Sequence, residues 1–106
     1  MKRSNIANMI GGWFIGNFEP NIAKAEAFEA CVKNYLPGES EPRHYQITAT
    51  EITVIISGEA KMNAEILKTG DIILIEPGEA YDFQAITKTS LVAIKYPSLP
   101  NDKVLS

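Results

Sequence analysis

The amino-acid sequence predicts an all-β domain, a small barrel or sandwich assembled from short strands. Short runs of β-branched and apolar residues recur along the chain, and glycine and proline residues separate them. No helical pattern of useful length lies between these runs. The 106 residues have the length of one domain, and no repeat or long linker divides them, so we expect a single domain over residues 1–106.

The chain begins with an irregular arm, residues 1–20, that contains the apolar cluster of Trp13, Phe14 and Ile15. Residues 22–30 suit either a short helix or the approach to a strand, and we favour a strand over residues 28–36. The barrel proper is predicted to span residues 28–96, and the prolines that follow leave a polar tail over residues 97–106.

The remaining predicted elements each end at a turn residue. Residues 51–57 form the strongest strand, because they are largely β-branched and close at Gly58. The apolar side chains of residues 51–57 are predicted to enter the core. A turn is predicted through residues 39–42, before the strand that begins at residue 43. The other strands are predicted at residues 43–47, 60–67 (a hairpin around Asn63), 72–75, 81–86 and 90–96. The predicted core consists of Ile52, Val54, Ile56, Ile72, Leu74, Val92 and Ile94.

Composition excludes several functional classes. The net charge of −3 provides no basic surface for a nucleic acid or an anionic membrane, so we expect neither as a partner. The single cysteine, Cys31, cannot form an internal disulfide and reads as a small buried side chain. Neither a signal peptide nor a run of about 20 apolar residues is present, so we expect a cytoplasmic protein.

One segment of the chain resembles the first signature of the cupin superfamily. That signature reads Gly, five residues, His-x-His, three or four residues, Glu, six residues, Gly. Gly38, His44, Glu51 and Gly58 lie at these spacings, and Gln46 occupies the place of the second histidine.

A later segment resembles the second cupin signature. Gly70 and Gly78 match its glycines, Tyr81 lies where the third histidine is expected, and Ala85 replaces the asparagine. Together with the flanking strands, the resemblance covers about residues 28–96. It implies a small cupin-type β-barrel, which is a double-stranded β-helix or jelly roll.

The resemblance also implies a ligand set, with His44, Gln46 and Glu51 as the candidate metal-binding residues. Side chains alternate along a strand, so His44 and Gln46 share a face. Gln46 offers only a neutral amide oxygen, and Tyr81 would bind a metal well only as a phenolate. We therefore expect either no cofactor or a weakly bound divalent transition metal.

Three functions remain open at this point, and whether the protein is an enzyme is undecided. By resemblance to metal-free cupins, it is an isomerase or epimerase of a sugar or keto acid, with His44 as base and Tyr81 as acid. Arg43 and Lys95 are the cations near the barrel that could bind an anionic substrate. The second function is a metal-dependent dioxygenase or lyase, and the third is a non-catalytic module that binds a small ligand.

The expected partners are a small-molecule ligand and a second copy of the chain. Trp13, Phe14, Ile15 and Phe18 supply more apolar surface than an arm needs, which indicates a homodimer that buries them. The alternative is that the arm folds back and caps its own barrel. Light scattering distinguishes the two, since a monomer has a mass of 11.7 kDa.

Overall fold

The computed structural model describes residues 1–106 and contains two β-sheets and almost no helix. Two short 3-10 turns, Ile6–Asn8 and Ile10–Gly12, precede the first strand. The all-β prediction is confirmed. The strands are β1 (Trp13–Gly16), β2 (Ala23–Lys24), β3 (Glu29–Tyr35), β4 (Ser40–Gln46), β5 (Thr50–Ser57), β6 (Glu59–Met62), β7 (Glu65–Lys68), β8 (Ile72–Ile75), β9 (Tyr81–Ala85), β10 (Thr89–Tyr96) and β11 (Lys103–Leu105).

The strands form a six-stranded sheet and a five-stranded sheet. The six-stranded sheet has the order β2-β1-β3-β10-β5-β8, and the five-stranded sheet has the order β11-β4-β9-β6-β7. All strand pairs are antiparallel except β1 with β2. The inner faces of the two sheets enclose the core, so a side chain that points inward from either sheet enters the same interior.

Both ends of the chain are more regular than the sequence predicts. The arm contributes β1, which pairs with β3 and places Trp13 opposite Cys31. The tail contributes β11, which pairs with β4. Asp102 anchors the tail, because its carboxylate accepts hydrogen bonds from the backbone N–H groups of Thr48 (3.0 Å) and Ala49 (2.9 Å). Both strands are short, and the sequence carries little local signal of such brief pairings.

The predicted turn through residues 39–42 is instead the beginning of β4. Pro42 has no backbone N–H to donate to a neighbouring strand, which is why the sequence favours a turn there. The register between β4 and β9 shifts between Glu41 and His44, and such an irregularity is where a sheet tolerates proline. Residues 22–30 form no helix, in agreement with the extended prediction.

The predicted core was assigned to the wrong face of the six-stranded sheet. The inward side chains of β5 and β10 include Ile55, which is fully buried, and Leu91 and Ala93, which are nearly so. Cys31 also points inward, and burial raises the pKa of its thiol to about 11. The residues predicted as core all point to the opposite, outer face: Ile52, Val54, Ile56, Ile72, Leu74, Val92 and Ile94.

The cause of this error is that both faces of the central strands are apolar enough to be a core. In a nearly continuous apolar strand, alternation does not reveal which face is buried. The inward face also carries Glu51, Thr53 and Lys95, which made it look like the solvent face. Its polar residues line an internal cavity instead. No helix in the structure is long and apolar enough to cross a membrane.

Candidate functional site

A cavity of about 170 Å³ lies between the inner faces of the two sheets. It combines an apolar wall with a set of charged and hydroxyl-bearing side chains. The charged side chains are three carboxylates and three ammonium groups, and the cavity also contains one histidine. The lining residues are Trp13, Glu29, Lys33, Tyr35, Glu41, His44, Glu51, Thr53, Met62, Tyr81, Phe83, Leu91, Ala93, Lys95 and Lys103.

His44 is held as a neutral imidazole with one nitrogen available. It lies on β4 with 4% of its surface exposed, and its Nδ1 is 2.8 Å from the carbonyl oxygen of Pro42. A carbonyl oxygen only accepts, so Nδ1 carries the proton and Nε2 keeps its lone pair. Burial is the main reason that the pKa of His44 is lowered from its ordinary value of 6.5, and the charge of Lys103 adds to this.

Tyr81 and Glu51 form a buried hydrogen-bonded pair beside His44. The hydroxyl of Tyr81 donates to Oε2 of Glu51 at 2.6 Å, and the hydroxyl of Thr53 donates to the same oxygen at 3.3 Å. The Tyr81 ring lies 4.4 Å from the His44 ring, measured between centroids. Burial raises the pKa of Tyr81, and the neighbouring Glu51 charge raises it further, so the phenol keeps its proton.

Lys95 and Trp13 complete this side of the cavity. The Lys95 ammonium lies 3.9 Å from Oε1 of Glu51 and 4.9 Å from the centre of the Trp13 ring. Trp13 therefore packs over the interior of its own chain. Its ring contributes a cation–π interaction with the Lys95 ammonium.

A second Tyr–Glu–Lys set lines the same cavity. Tyr35 donates to Oε1 of Glu41 at 3.0 Å, and the Lys33 ammonium lies 4.0 Å from the same oxygen. Lys33 is also 5.9 Å from the centre of the Trp13 ring. The cavity thus presents two paired lysines near the same indole ring.

Gln46 is buried but faces a neighbouring cavity of about 330 Å³. Glu29, Lys95 and Lys103 line both cavities, so the two cavities adjoin. The Nε2 atom of Gln46 has no hydrogen-bond partner. Of the four residues that the sequence groups together, the structure brings His44, Glu51 and Tyr81 into one cavity and places Gln46 in the next.

The residues present do not fit a transition metal. No group of three or more histidine, cysteine, aspartate or glutamate side chains is close enough to hold one. Both oxygens of Glu51 already have partners, because Tyr81 and Thr53 donate to one and the Lys95 ammonium faces the other. A lysine cation therefore occupies the position beside Glu51 where a metal would need an open oxygen.

Sequence reasoning named Lys95 as a candidate cation but missed most of the cavity wall. No sequence motif indicates that Trp13, Lys33, Tyr35 or Glu41 belongs to the site. Lys33 could have been found from Cys31. The two residues lie two positions apart on β3, so their side chains point to the same, inward face of the sheet. Arg43, the other candidate cation, is exposed and donates to Asn63 at 3.1 Å, away from the cavity.

Neither a protein-family model nor a curated protein sequence matches the chain. Solved structures do match. A conserved double-stranded β-helix protein from Klebsiella pneumoniae subsp. pneumoniae MGH 78578 is 22% identical, with a TM-score of 0.71 over 77% of this chain and 72% of that one. KdgF from Halomonas sp. is 14% identical, with a TM-score of 0.63 over 69% and 72% of the two chains.

A further match is the DMSP lyase DddQ from Ruegeria pomeroyi DSS-3. It is 22% identical, with a TM-score of 0.72 over 89% of this chain but only 49% of that one. An RmlC-like cupin from Shewanella frigidimarina NCIMB 400 aligns with a TM-score of 0.64 at 17% identity, over 68% of each chain. These likenesses show that the chain has the double-stranded β-helix fold of the cupins, which confirms the fold implied by the two signatures.

Proposed function

We propose that this cupin-fold protein is an isomerase or epimerase of a small keto acid or sugar acid, with His44 as the base. The observation that carries the proposal is the free Nε2 of a neutral, buried histidine in a cavity lined by lysines. Such a nitrogen accepts a proton at neutral pH, and the lysines attract the carboxylate of the substrate.

The reaction that suits these groups is proton transfer next to a carbonyl. His44 Nε2 takes a proton from the carbon beside the carbonyl, and the electron pair of the broken C–H bond moves onto the carbonyl oxygen. An ammonium group of Lys95 or Lys33 stabilises the resulting enolate oxygen. In an α-hydroxy carbonyl substrate, the imidazolium then returns the proton to the former carbonyl carbon while the proton of the α-hydroxyl passes to the enolate oxygen, which gives the isomer. If the enolate turns over in the cavity first, return of the proton to the original carbon gives the epimer.

Tyr81 has a different role in this proposal from the acid that the sequence suggests. Its hydroxyl proton is directed at Glu51, and its pKa is raised, so releasing that proton would leave a phenolate beside a carboxylate. We assign Tyr81 to positioning: it fixes the Glu51 carboxylate, and this carboxylate in turn fixes Lys95 in the cavity.

The second candidate is a non-catalytic module that binds the same class of ligand. It is favoured by the internal pairing of Lys33 with Glu41 and of Lys95 with Glu51, which holds both ammonium groups in the cavity without a substrate. The two functions share a ligand and differ only in whether His44 moves a proton. The metal-dependent dioxygenase or lyase receives no support from the donor set.

Hydrogen exchange in deuterium oxide tests the proposal. We expect the protein to catalyse exchange of the proton beside the carbonyl in at least one member of a panel of small keto acids and sugar acids, followed by proton NMR. His44→Asn is the informative variant, because its amide N–H can still donate to Pro42 while the basic nitrogen is lost. Since a positioned general base contributes about 10²–10⁴-fold, the variant should lose at least about 100-fold of the exchange rate.

Ligand binding provides the matched control for this experiment. The same panel is measured by its effect on the melting temperature, since a ligand bound only by the folded protein stabilises it. Stabilisation without exchange would reject the enzyme and support the binding module. Equal exchange by the wild type and His44→Asn would show that His44 is not the base.

A further inference from the structure

The cavity of about 330 Å³ that Gln46 faces lies beside the His44 cavity and is lined mainly by the tail of the chain. We call it the tail cavity. Five of its nine lining residues belong to residues 97–103, and the others come from β3, β4, β10 and the loop before β5. A role for the tail cavity goes beyond the proposed function, which uses only the groups of the His44 cavity.

The Gln46 side chain brings to the tail cavity a hydrogen-bond donor that no group of the chain satisfies. Gln46 is 2% exposed, and its Nε2 atom has no acceptor. Buried polar atoms are nearly always paired in folded proteins, because an unpaired one is destabilising. The unpaired donor therefore indicates that an acceptor from outside the chain, either water or a ligand, occupies the tail cavity.

Lys103 provides a second unused donor directly beside Gln46. The two residues pair across strands β11 and β4, so their side chains share a face and their Cβ atoms lie about 5 Å apart. The other lysines of the two cavities are each paired with a glutamate, whereas the Lys103 ammonium has no such partner. Lys103 is exposed, so a ligand from solvent can reach it. Two adjacent donors without acceptors, one of them cationic, suit the two oxygens of a carboxylate.

We infer that the tail cavity binds the carboxylate of a small organic acid between the Gln46 amide and the Lys103 ammonium. This inference is independent of the proposed function, because it requires binding alone and no proton transfer. The hydrocarbon part of the acid contacts the apolar section of the wall, which consists of Ala49, Pro97 and Leu99.

The acidic residues of the tail cavity favour a ligand with one negative charge over a ligand with two. Glu29 and Asp102 line the cavity, and both already accept hydrogen bonds within the chain. Asp102 accepts from two backbone N–H groups, and Glu29 accepts from the hydroxyl of Ser98 at 3.1 Å. These two side chains repel a phosphate dianion more strongly than a singly charged carboxylate. We therefore expect the tail cavity to prefer a carboxylate to phosphate.

NMR of the full chain, labelled with nitrogen-15 in glutamine, tests this inference. The chain contains two glutamines, so its side-chain amide signals come from Gln46 and from Gln84, which is exposed on β9. Sodium propionate is the probe, and propionamide is the matched neutral compound, both at constant ionic strength. We expect propionate to shift the Gln46 signals and to leave the Gln84 signals in place. Propionamide should bind at least about ten-fold more weakly, because it lacks the charge that strengthens hydrogen bonds to a carboxylate.

Two variants test the two donors separately. Gln46→Met keeps the length of the side chain and removes the amide, and Lys103→Met removes the ammonium. The dissociation constant for propionate, followed by the backbone amide shift of Ala49 in the cavity wall, should rise at least about ten-fold in Gln46→Met. It should rise at least about three-fold in Lys103→Met, where solvent weakens the contact.

Lys68→Met is the matched control for Lys103→Met. Lys68 is also exposed, and it lies on the opposite edge strand of the same sheet, so its loss changes the net charge equally without touching the tail cavity. It should leave the dissociation constant unchanged. Circular dichroism verifies that each variant is folded, and Lys103→Met on its exposed edge strand keeps the test decisive if Gln46→Met is unstable.

Three results would overturn the inference. The first is a Gln46 signal that propionate does not move, which would leave water as the acceptor in the tail cavity. The second is propionamide, or inorganic phosphate at pH 8, binding as tightly as propionate. The third is an equal dissociation constant for Lys103→Met and Lys68→Met. None of these measurements depends on hydrogen exchange by His44, so failure of this inference is distinguishable from failure of the proposed function.

Discussion

Ile55→Ala is expected to lower the free energy of unfolding by about 2–5 kcal/mol, because it removes a fully buried side chain from the core. Ile56, the next residue on β5, points to the outer face and is 53% exposed. Ile56→Ala should therefore change the same quantity by less than about 1 kcal/mol. The contrast between two adjacent isoleucines identifies the buried face of the sheet.

Urea denaturation of both variants measures this contrast, at two protein concentrations that differ ten-fold. Equal midpoints at the two concentrations show that association of the chain does not contribute. If Ile56→Ala proved the more destabilising of the two at both concentrations, the core would lie on the face that the sequence alone predicted.

Lys95→Met is expected to destabilise the fold by about 3 kcal/mol. The change leaves the Glu51 carboxylate, whose side chain is 5% exposed, without a cation. Removing one partner of a buried ion pair costs about 3–5 kcal/mol, and the 3.9 Å separation together with the remaining Tyr81 hydrogen bond places this pair at the lower end. The double variant with Glu51→Gln should recover at least half of the loss, because no unpaired charge remains.

Lys33→Met is the control for Lys95→Met. Lys33 pairs with Glu41 at nearly the same distance, 4.0 Å, but the side chains are 24% and 31% exposed. Solvent weakens such a pair, so the loss should stay below about 1 kcal/mol. Thermal and urea unfolding measure the loss of unfolding free energy in each variant. Equal losses in the two single variants would show that burial does not make the Lys95–Glu51 pair more important than the Lys33–Glu41 pair.

Part of this site follows from the sequence. Motif spacing connects His44, Glu51 and Tyr81, and the structure brings them into one cavity. The strand positions also follow, because β-branched runs and turn residues are local signals that act within a few residues. The partners of the buried Glu51 carboxylate, Tyr81 and Lys95, are found only in the structure.

The rest depends on contacts between distant segments. Gln46 shares a strand face with His44, yet it lines the neighbouring cavity and not the His44 cavity. The spacing of the two residues in the sequence does not predict this difference. The sequence does not indicate which face of β5 is buried. The polar side chains that line the cavity point inward, and aliphatic side chains point outward. The tail strand β11 depends on pairing with β4 across more than half of the chain.

The most direct test of the account is the NMR titration of His44, which is the only histidine and gives a single imidazole signal. We expect its pKa to lie below the ordinary value of 6.5, because burial disfavours the charged ring. Nitrogen-15 shifts above that pKa should show the proton on Nδ1 and a free lone pair on Nε2. A pKa at or above 6.5, or a proton on Nε2, would contradict the neutral base on which the proposed function rests.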